Sequence, residues 1–246
     1  MIHQSEQQRN TIQGSFDSTL TDSNLQNLSI DIAEFAIDSV LNDGLFKEIP
    51  IINTVINLSK IGANIRDRLF LKKIISFMSQ LKDIPSEKRK KMIDDINNSQ
   101  KYRVKVGEKL LYIIDSCEDY EISELIGSVF KYYLEENITY DEFLKTSSVL
   151  KNMNKSNFNW FIKERKNHFF DLSDVGDLMH TGLFELYYDN VNVDIEKETD
   201  HKVLLEGGNE YKASTDGGVG VLLSRAGEII LEIFCSTYKK PKTIKI

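Results

Sequence analysis

The chain has 246 residues, 41% of them hydrophobic and 28% charged, with a net charge of −7. Those values belong to an ordinary soluble globular protein, and the length allows one large domain or two small ones around a real core. Two cysteines, Cys117 and Cys235, exclude a disulfide framework and fit reduced, buried thiols.

The opening MIHQSEQQRN has neither the basic start nor the apolar run of a signal peptide. No stretch reaches the roughly 18 uninterrupted apolar residues of a spanning helix. The expected location is the cytoplasm, with the inner face of the membrane as a surface the protein can meet. Charge is unevenly spread. Residues 66–109 carry 13 Lys and Arg against 6 Asp and Glu, whereas residues 1–65 and 110–246 carry net charges of −5 and −9. A basic block in an acidic protein attracts anionic lipid, nucleic acid or the acidic part of another copy, unless nearby acids balance it in the fold.

Residues 1–28 are rich in Gln, Ser, Thr, Asn and Asp and read as a poorly ordered lead-in. Residues 29–166 carry helical spacing throughout and form the expected helical domain. Ile32, Phe35, Ala36, Ser39 and Val40 make the first stripe, and Asn42-Asp43-Gly44 stops it. Pro50 suits the first turn of the next helix, with Ile51, Val55, Leu58 and Ile65 on one face. Leu69, Phe70, Ile74, Phe77, Met78 and Leu81 continue the stripe through a basic helix. Pro85-Ser86-Glu87 restarts the chain with Met92, Ile93 and Ile96 inward, and VGEKLLYIIDSCED follows with Val106, Leu110, Ile113 and Ile114 in register. EISELIGSVFKYYLEENITYDEFLKTSSVLKNM reads as two helices joined at Glu136-Asn137, the second capped by Thr139 with Glu142 completing a capping box.

Residues 167–238 change character. HFFDLSDVGDLMHTGLF predicts a short helix capped at Ser173 and ending near Gly182. LFELYYD, KVLLE and VGVLLS are strand-like, separated by Asp189-Asn190, Gly207-Gly208-Asn209 and Asp216-Gly217-Gly218. Ser224 caps a closing amphipathic helix, RAGEIILEIF, and residues 239–246 form a basic tail. The predicted fold is mainly α: an N-terminal multi-helix bundle followed by a small C-terminal α+β, winged-helix-like module.

Catalytic motifs are missing from the sequence. There is no HExxH, no GxSxG and no Cys/His zinc spacing, and GGNEYKASTDGGVG matches neither Walker A nor GxGxxG. Cys117 lies among Asp115, Glu118 and Asp119, whose charge raises a thiol pKa. Two acidic trios, Asp115/Glu118/Asp119 and Asp171/Asp174/Asp177, would hold a divalent cation only if a second helix added oxygens. His180 reads as a helix-end residue facing free carbonyls. The expectation is no enzyme, no cofactor, no metal and no small-molecule substrate. A DNA role for the module meets an obstacle, because DLSDVGDLMHTG presents Asp171, Asp174 and Asp177 and no cation.

GLFKEIPIINTVINLSKIG, RLFLKKIISFM and ELIGSVFKYYLEENITYDEFLK are similar to elements of bacterial helical proteins grouped with abortive infection and phage defence, including the Abi-alpha type. LMHTGLFEL followed by LLSRAGEIILEIF resembles their closing pattern. Leu223-Ser224-Arg225-Ala226-Gly227 stands where they carry an "LT-x-x-G" turn. The resemblance covers about residues 30–236 and rests on packing motifs. It implies a cytoplasmic bacterial protein that limits phage propagation, with no catalytic residues to carry over.

Three readings compete for Ile49–Lys73, which opens with eleven uncharged residues and then turns basic. It is a core helix, a helix lying on anionic lipid, or an interface with a protein partner or second copy. Its candidate membrane or partner face comprises Ile51, Ile52, Val55, Ile56, Arg66, Arg68, Lys72 and Lys73. The alternative function is a DNA-associated regulator that uses the C-terminal module.

Overall fold

The computed structural model describes residues 2–27, 48–58, 65–164, 169–170, 172–188, 193–198, 210–215 and 219–235. Among these residues the fold is mainly helical, with ten α-helices and two small antiparallel sheets. The predicted stripe at Ile32–Val40, the strand KVLLE and the basic tail 239–246 lie outside the described residues.

Helix α1 covers Ile2–Thr21 and a 3-10 turn follows at Ser23–Asn27. The expected lead-in is therefore corrected: this segment is part of the bundle. Phe16, Leu20 and Leu25 are fully buried, and Ile12 packs against the same core. The four-residue spacing of positions 12, 16 and 20 puts these few apolar side chains on one face, so a polar composition hides an adequate stripe. Polar ties add to it. Helix α2, Pro50–Leu58, begins with an Ile51 N–H that has no acceptor within its own helix. The Thr19 hydroxyl accepts from it at 3.0 Å, so α1 caps α2.

Arg89, on helix α4 (Ser86–Asn97), is fully buried and, among the described residues, bonds carbonyl oxygens. Its guanidinium donates to Leu20 O at 2.8 Å and to the carbonyl oxygens of Asp22 and Ile84. It thereby fixes the end of α1 against the turn before α4. Burial lowers its pKa, and the nearby Asp22 opposes that shift.

Helix α3 (Ile65–Ser79) lies against α6 (Tyr120–Leu134) in the centre of the bundle. Gly127 sets the approach, because a Cβ there would stand 2.7 Å from the Phe77 carbonyl oxygen. Ser123 donates to Lys73 O at 2.8 Å beside it. Helix α5 (Val106–Asp115) buries Val106, Leu110, Ile113 and Ile114, the four positions its spacing predicts. An aromatic row, Phe16–Phe77–Phe130–Phe143, links α1, α3, α6 and α7 (Tyr140–Lys151) at centroid separations of 6.4, 5.8 and 5.0 Å.

The predicted joint at Glu136-Asn137 is present. Glu136 takes φ 66°, Asn137 N donates to Tyr132 O, and Glu136 N donates to Tyr133 O, a left-handed helix stop. The Thr139–Glu142 capping box is also present, with both reciprocal bonds formed. Helix α8 (Lys155–Glu164) buries Phe161.

The C-terminal region holds β1 (Phe169–Phe170), a one-turn α9 (Leu172–Val175), a 3-10 helix (Gly176–Thr181), β2 (Phe184–Tyr188), β3 (Val193–Glu198), β4 (Glu210–Thr215), β5 (Val219–Leu223) and α10 (Arg225–Phe234). Strands β1 and β2 flank β5, with Phe184 opposite Leu223 and Tyr188 opposite Val219. Strands β3 and β4 pair as a separate ladder from Val193↔Thr215 to Glu198↔Glu210. The expected short helix starts at Leu172 rather than at a Ser173 cap, and most of it is 3-10. It ends at Gly182 as predicted, where φ is 84°. Ser224 caps α10 by accepting from Gly227 N at 3.2 Å and donates to Gly182 O at 2.8 Å. Helix α10 packs on α7 and α6.

Candidate functional site

The predicted face on Ile49–Lys73 divides into three environments. Ile51, Ile52 and Val55 are 0%, 1% and 3% exposed, and Ile56 is half-buried against the same core. Among the described side chains of α2, the stripe therefore closes over α1 and presents no apolar face outward. Lys72 and Lys73 serve packing. Lys72 Nζ stands 3.6 Å over the Tyr120 ring, and Lys73 Nζ donates to the carbonyl oxygens of Asp115, at 3.2 Å, and Cys117. Two lysines of α3 thus hold the turn between α5 and α6, one through a ring face and one through the carbonyls that end α5. Arg66 is exposed and Arg68 half-exposed.

Two apolar residues that the periodicity assigned to the core lie outside it. Ile65 is 75% exposed and Leu69 is 52% exposed. At 100° per residue these positions share one face of α3, opposite Leu71, Ile74, Ile75 and Met78, which are buried. The same spacing puts Arg68 and Lys72 on one flank of that face and Arg66 and Lys73 on the other. The first two turns of α3 therefore present an apolar pair framed by guanidinium groups, ahead of the point where Lys72 and Lys73 bring in the α5–α6 turn. The sequence signal was available: Ile65 and Leu69 fall on the arc of the basic residues, not on the arc of Ile74 and Met78.

The chemistry elsewhere is that of packing and ion pairing. Cys117 is buried and its thiol is pushed up to about 11. Burial is the main cause; the acidic neighbours singled out from sequence contribute less, and Lys73 works against them. Among the described residues no three His, Cys, Asp or Glu side chains are grouped to hold a metal ion. His180 is exposed at the last turn of the 3-10 helix. Asp171 lies outside the described residues, and Asp174 and Asp177 are exposed.

Among the described residues, the densest charge cluster joins the bundle to α10. Arg225 donates to Glu142 at 3.0 Å, to Glu228 at 3.0 Å and to Glu232 at 2.8 Å, and Tyr132 donates to Glu232 at 3.3 Å. Burial acts against the Arg225 charge, but the three carboxylates outweigh it and raise the pKa. Glu142 has two jobs: one oxygen closes the capping box of α7 and the other takes Arg225. Sequence reading found the first and missed the second, because the partners are 83 residues apart. Compared with protein-family models, with curated proteins and with solved structures, the chain matches none.

Proposed function

We propose that the chain is a non-enzymatic bacterial interaction protein, an effector of phage defence of the abortive-infection kind, which works by contact rather than by catalysis. The observation that carries this reading is the exposed Ile65–Leu69 pair framed by Arg66 and Arg68 on α3. Large apolar side chains left adjacent on a surface and rimmed by charge mark contact sites. The resemblance of RLFLKKIISFM and its neighbours to abortive-infection proteins supplies the biological setting, and the cytoplasm is its expected place.

Magnitude favours a reversible contact. Covering the exposed fractions of Ile65 and Leu69 yields about 2–4 kcal/mol, at or below the roughly 4 kcal/mol of a millimolar complex. The cations, or several copies acting together, must supply the rest. A protein partner, a second copy or an anionic membrane surface would each provide such a complement.

Phage plating efficiency tests the reading. Cells expressing the wild-type chain should restrict plaque formation, and cells expressing Ile65→Asp/Leu69→Asp should not, at equal soluble yield. Restriction unchanged in that variant would remove the α3 face from the account.

A second reading, a DNA-associated regulator with a winged-helix-like module, is favoured by one observation. The antiparallel strand order β1-β5-β2 beside a short helical segment would suit a winged module. Against it, a single α-helical turn and a 3-10 helix stand where a reading helix belongs, and their exposed charges include Asp174 and Asp177. A salt-dependent gel shift by the full chain would bring this reading forward.

A further inference from the structure

We propose that α1 is a releasable cover over α2: polar contacts that water can replace help to seat it, and its departure bares the stripe of Ile51, Ile52 and Val55. The release is a property of the fold, separate from the contact at Ile65 and Leu69, and it is read without phage.

The two helices differ in composition. Along residues 12–21 of α1 the large apolar residues are Ile12, Phe16 and Leu20, and the other positions are Gln, Gly, Ser, Asp and Thr. A helix of that make-up leaves little apolar surface in water once undocked. Helix α2 is the reverse: Ile51, Ile52 and Val55 are buried, and among the described elements α2 packs chiefly on α1. Its 9 residues are too few for a helix to persist alone, so α2 frays when α1 leaves it. The face that α1 uncovers is the one the sequence marks as a membrane or partner face.

Much of the seat is polar. The hydroxyls of Ser15 and Thr54 are 2.6 Å apart, Thr19 accepts from the Ile51 N–H at 3.0 Å, and Arg89 donates to the carbonyl oxygens of Leu20 and Asp22. Water can take over these bonds after release, so each contributes little net. Phe16, Leu20 and Leu25 are the apolar anchors of the closed state. One contact works against closure. The half-buried Asp17 carboxylate lies on the first turn of α5, where a Cβ at Gly107 would collide with it. Burial pushes its pKa above the usual carboxylate value; Lys105 opposes this shift and Glu108 adds to it. The charged form of Asp17 thus favours the open state, where water reaches it.

The test is hydrogen exchange of the full chain in low urea, read at single amides. The amides of α1 and α2 should exchange through one shared opening, easier than the opening that exposes α6. Asp17→Asn should slow exchange in α1 and α2 about threefold and leave α6 unchanged. Ser15→Cys/Thr54→Cys replaces two hydroxyls in contact and should close into a disulfide on oxidation. The closed bridge should slow both helices about a hundredfold or more, and reduction should restore the faster exchange. Cys117 and Cys235 are buried and stay out of that bridge. Exchange of α1, α2 and α6 at one common free energy overturns the release, as does exchange of α2 at the wild-type rate in the oxidised variant. Each variant is first melted to confirm its fold. If the cysteine variant does not fold or does not oxidise, Asp17→Asn decides alone, and α1 exchange no slower than in wild type overturns the release.

Discussion

Helix α2 and the opening of α3 are both rich in aliphatic residues, and they end in opposite surroundings. Ile51 and Ile52 are sealed against α1, whereas Ile65 and Leu69 face outward on the neighbouring helix. The difference is not in hydrophobicity but in what each helix is tied to. Helix α2 begins under the Thr19 hydroxyl, which ties its apolar stripe to α1 and to the core that holds Phe16 and Leu20. Among the described residues of α3, full burial begins at Leu71, beside Lys72 and Lys73, which fasten the α5–α6 turn onto it. An apolar run calls for cover; the cover itself is supplied by residues distant in sequence.

The contrast can be broken most severely at its buried end. Ile52→Asp places a carboxylate at a 1% exposed position and should cost about 4 kcal/mol or more, enough to unfold much of the population in a urea melt. Arg89→Met comes next. It leaves the carbonyls of Leu20, Asp22 and Ile84 without their donor and should cost about 3 kcal/mol, seen as a lower urea midpoint. A loss under about 1 kcal/mol would show that water replaces the guanidinium there.

Smaller changes sharpen the comparison. Thr19→Val removes the acceptor of the Ile51 N–H and should cost about 1–2 kcal/mol, loosening α2 without touching α3. Protection of the α2 amides from hydrogen exchange should fall first. Glu136→Gly relieves the positive φ at the α6–α7 joint and should raise stability by about 0.5–1 kcal/mol, beyond the small loss of its exposed pair with Lys88.

Acid should act mildly at the α7–α10 junction. The Glu142 pKa is lowered, first by the Thr139 backbone bond and also by Arg225. Its contribution is therefore complete above the unfolded value of 4.5 and is lost as pH falls through the lower folded value. Glu142→Gln should reduce the steepness of the acid limb of a melt-versus-pH curve while leaving the α2–α3 contrast unchanged.

Much of this organisation was legible from local pattern. The Thr139 capping box, the Ser224 cap, the stop at Gly182 and the joint at Glu136 all depend on residues within a few positions of one another. Helix α1 was missed because its apolar residues are few, and their sufficiency depends on Thr19 and Arg89 meeting partners 32 and 69 positions away. Strands β3 and β4 were missed because VDIEKE and EYKAST are polar, and what defines them is their pairing with each other. In the candidate face the residue types were read correctly as apolar and basic, while their sorting into buried, clamped and exposed sets required the positions of α1 and the α5–α6 turn.

The most direct measurement is a pair of thermal melts, of Ile65→Asp/Leu69→Asp and of Ile52→Asp, beside wild type. If the opening of α3 is a surface face, the double variant should melt within about 4 °C of wild type, since exposed substitutions cost little and an aspartate in the first helical turn favours the helix. Ile52→Asp should melt far lower or not fold. A double variant that falls as far as Ile52→Asp would show that Ile65 and Leu69 belong to the core and that α3 carries no exposed apolar face.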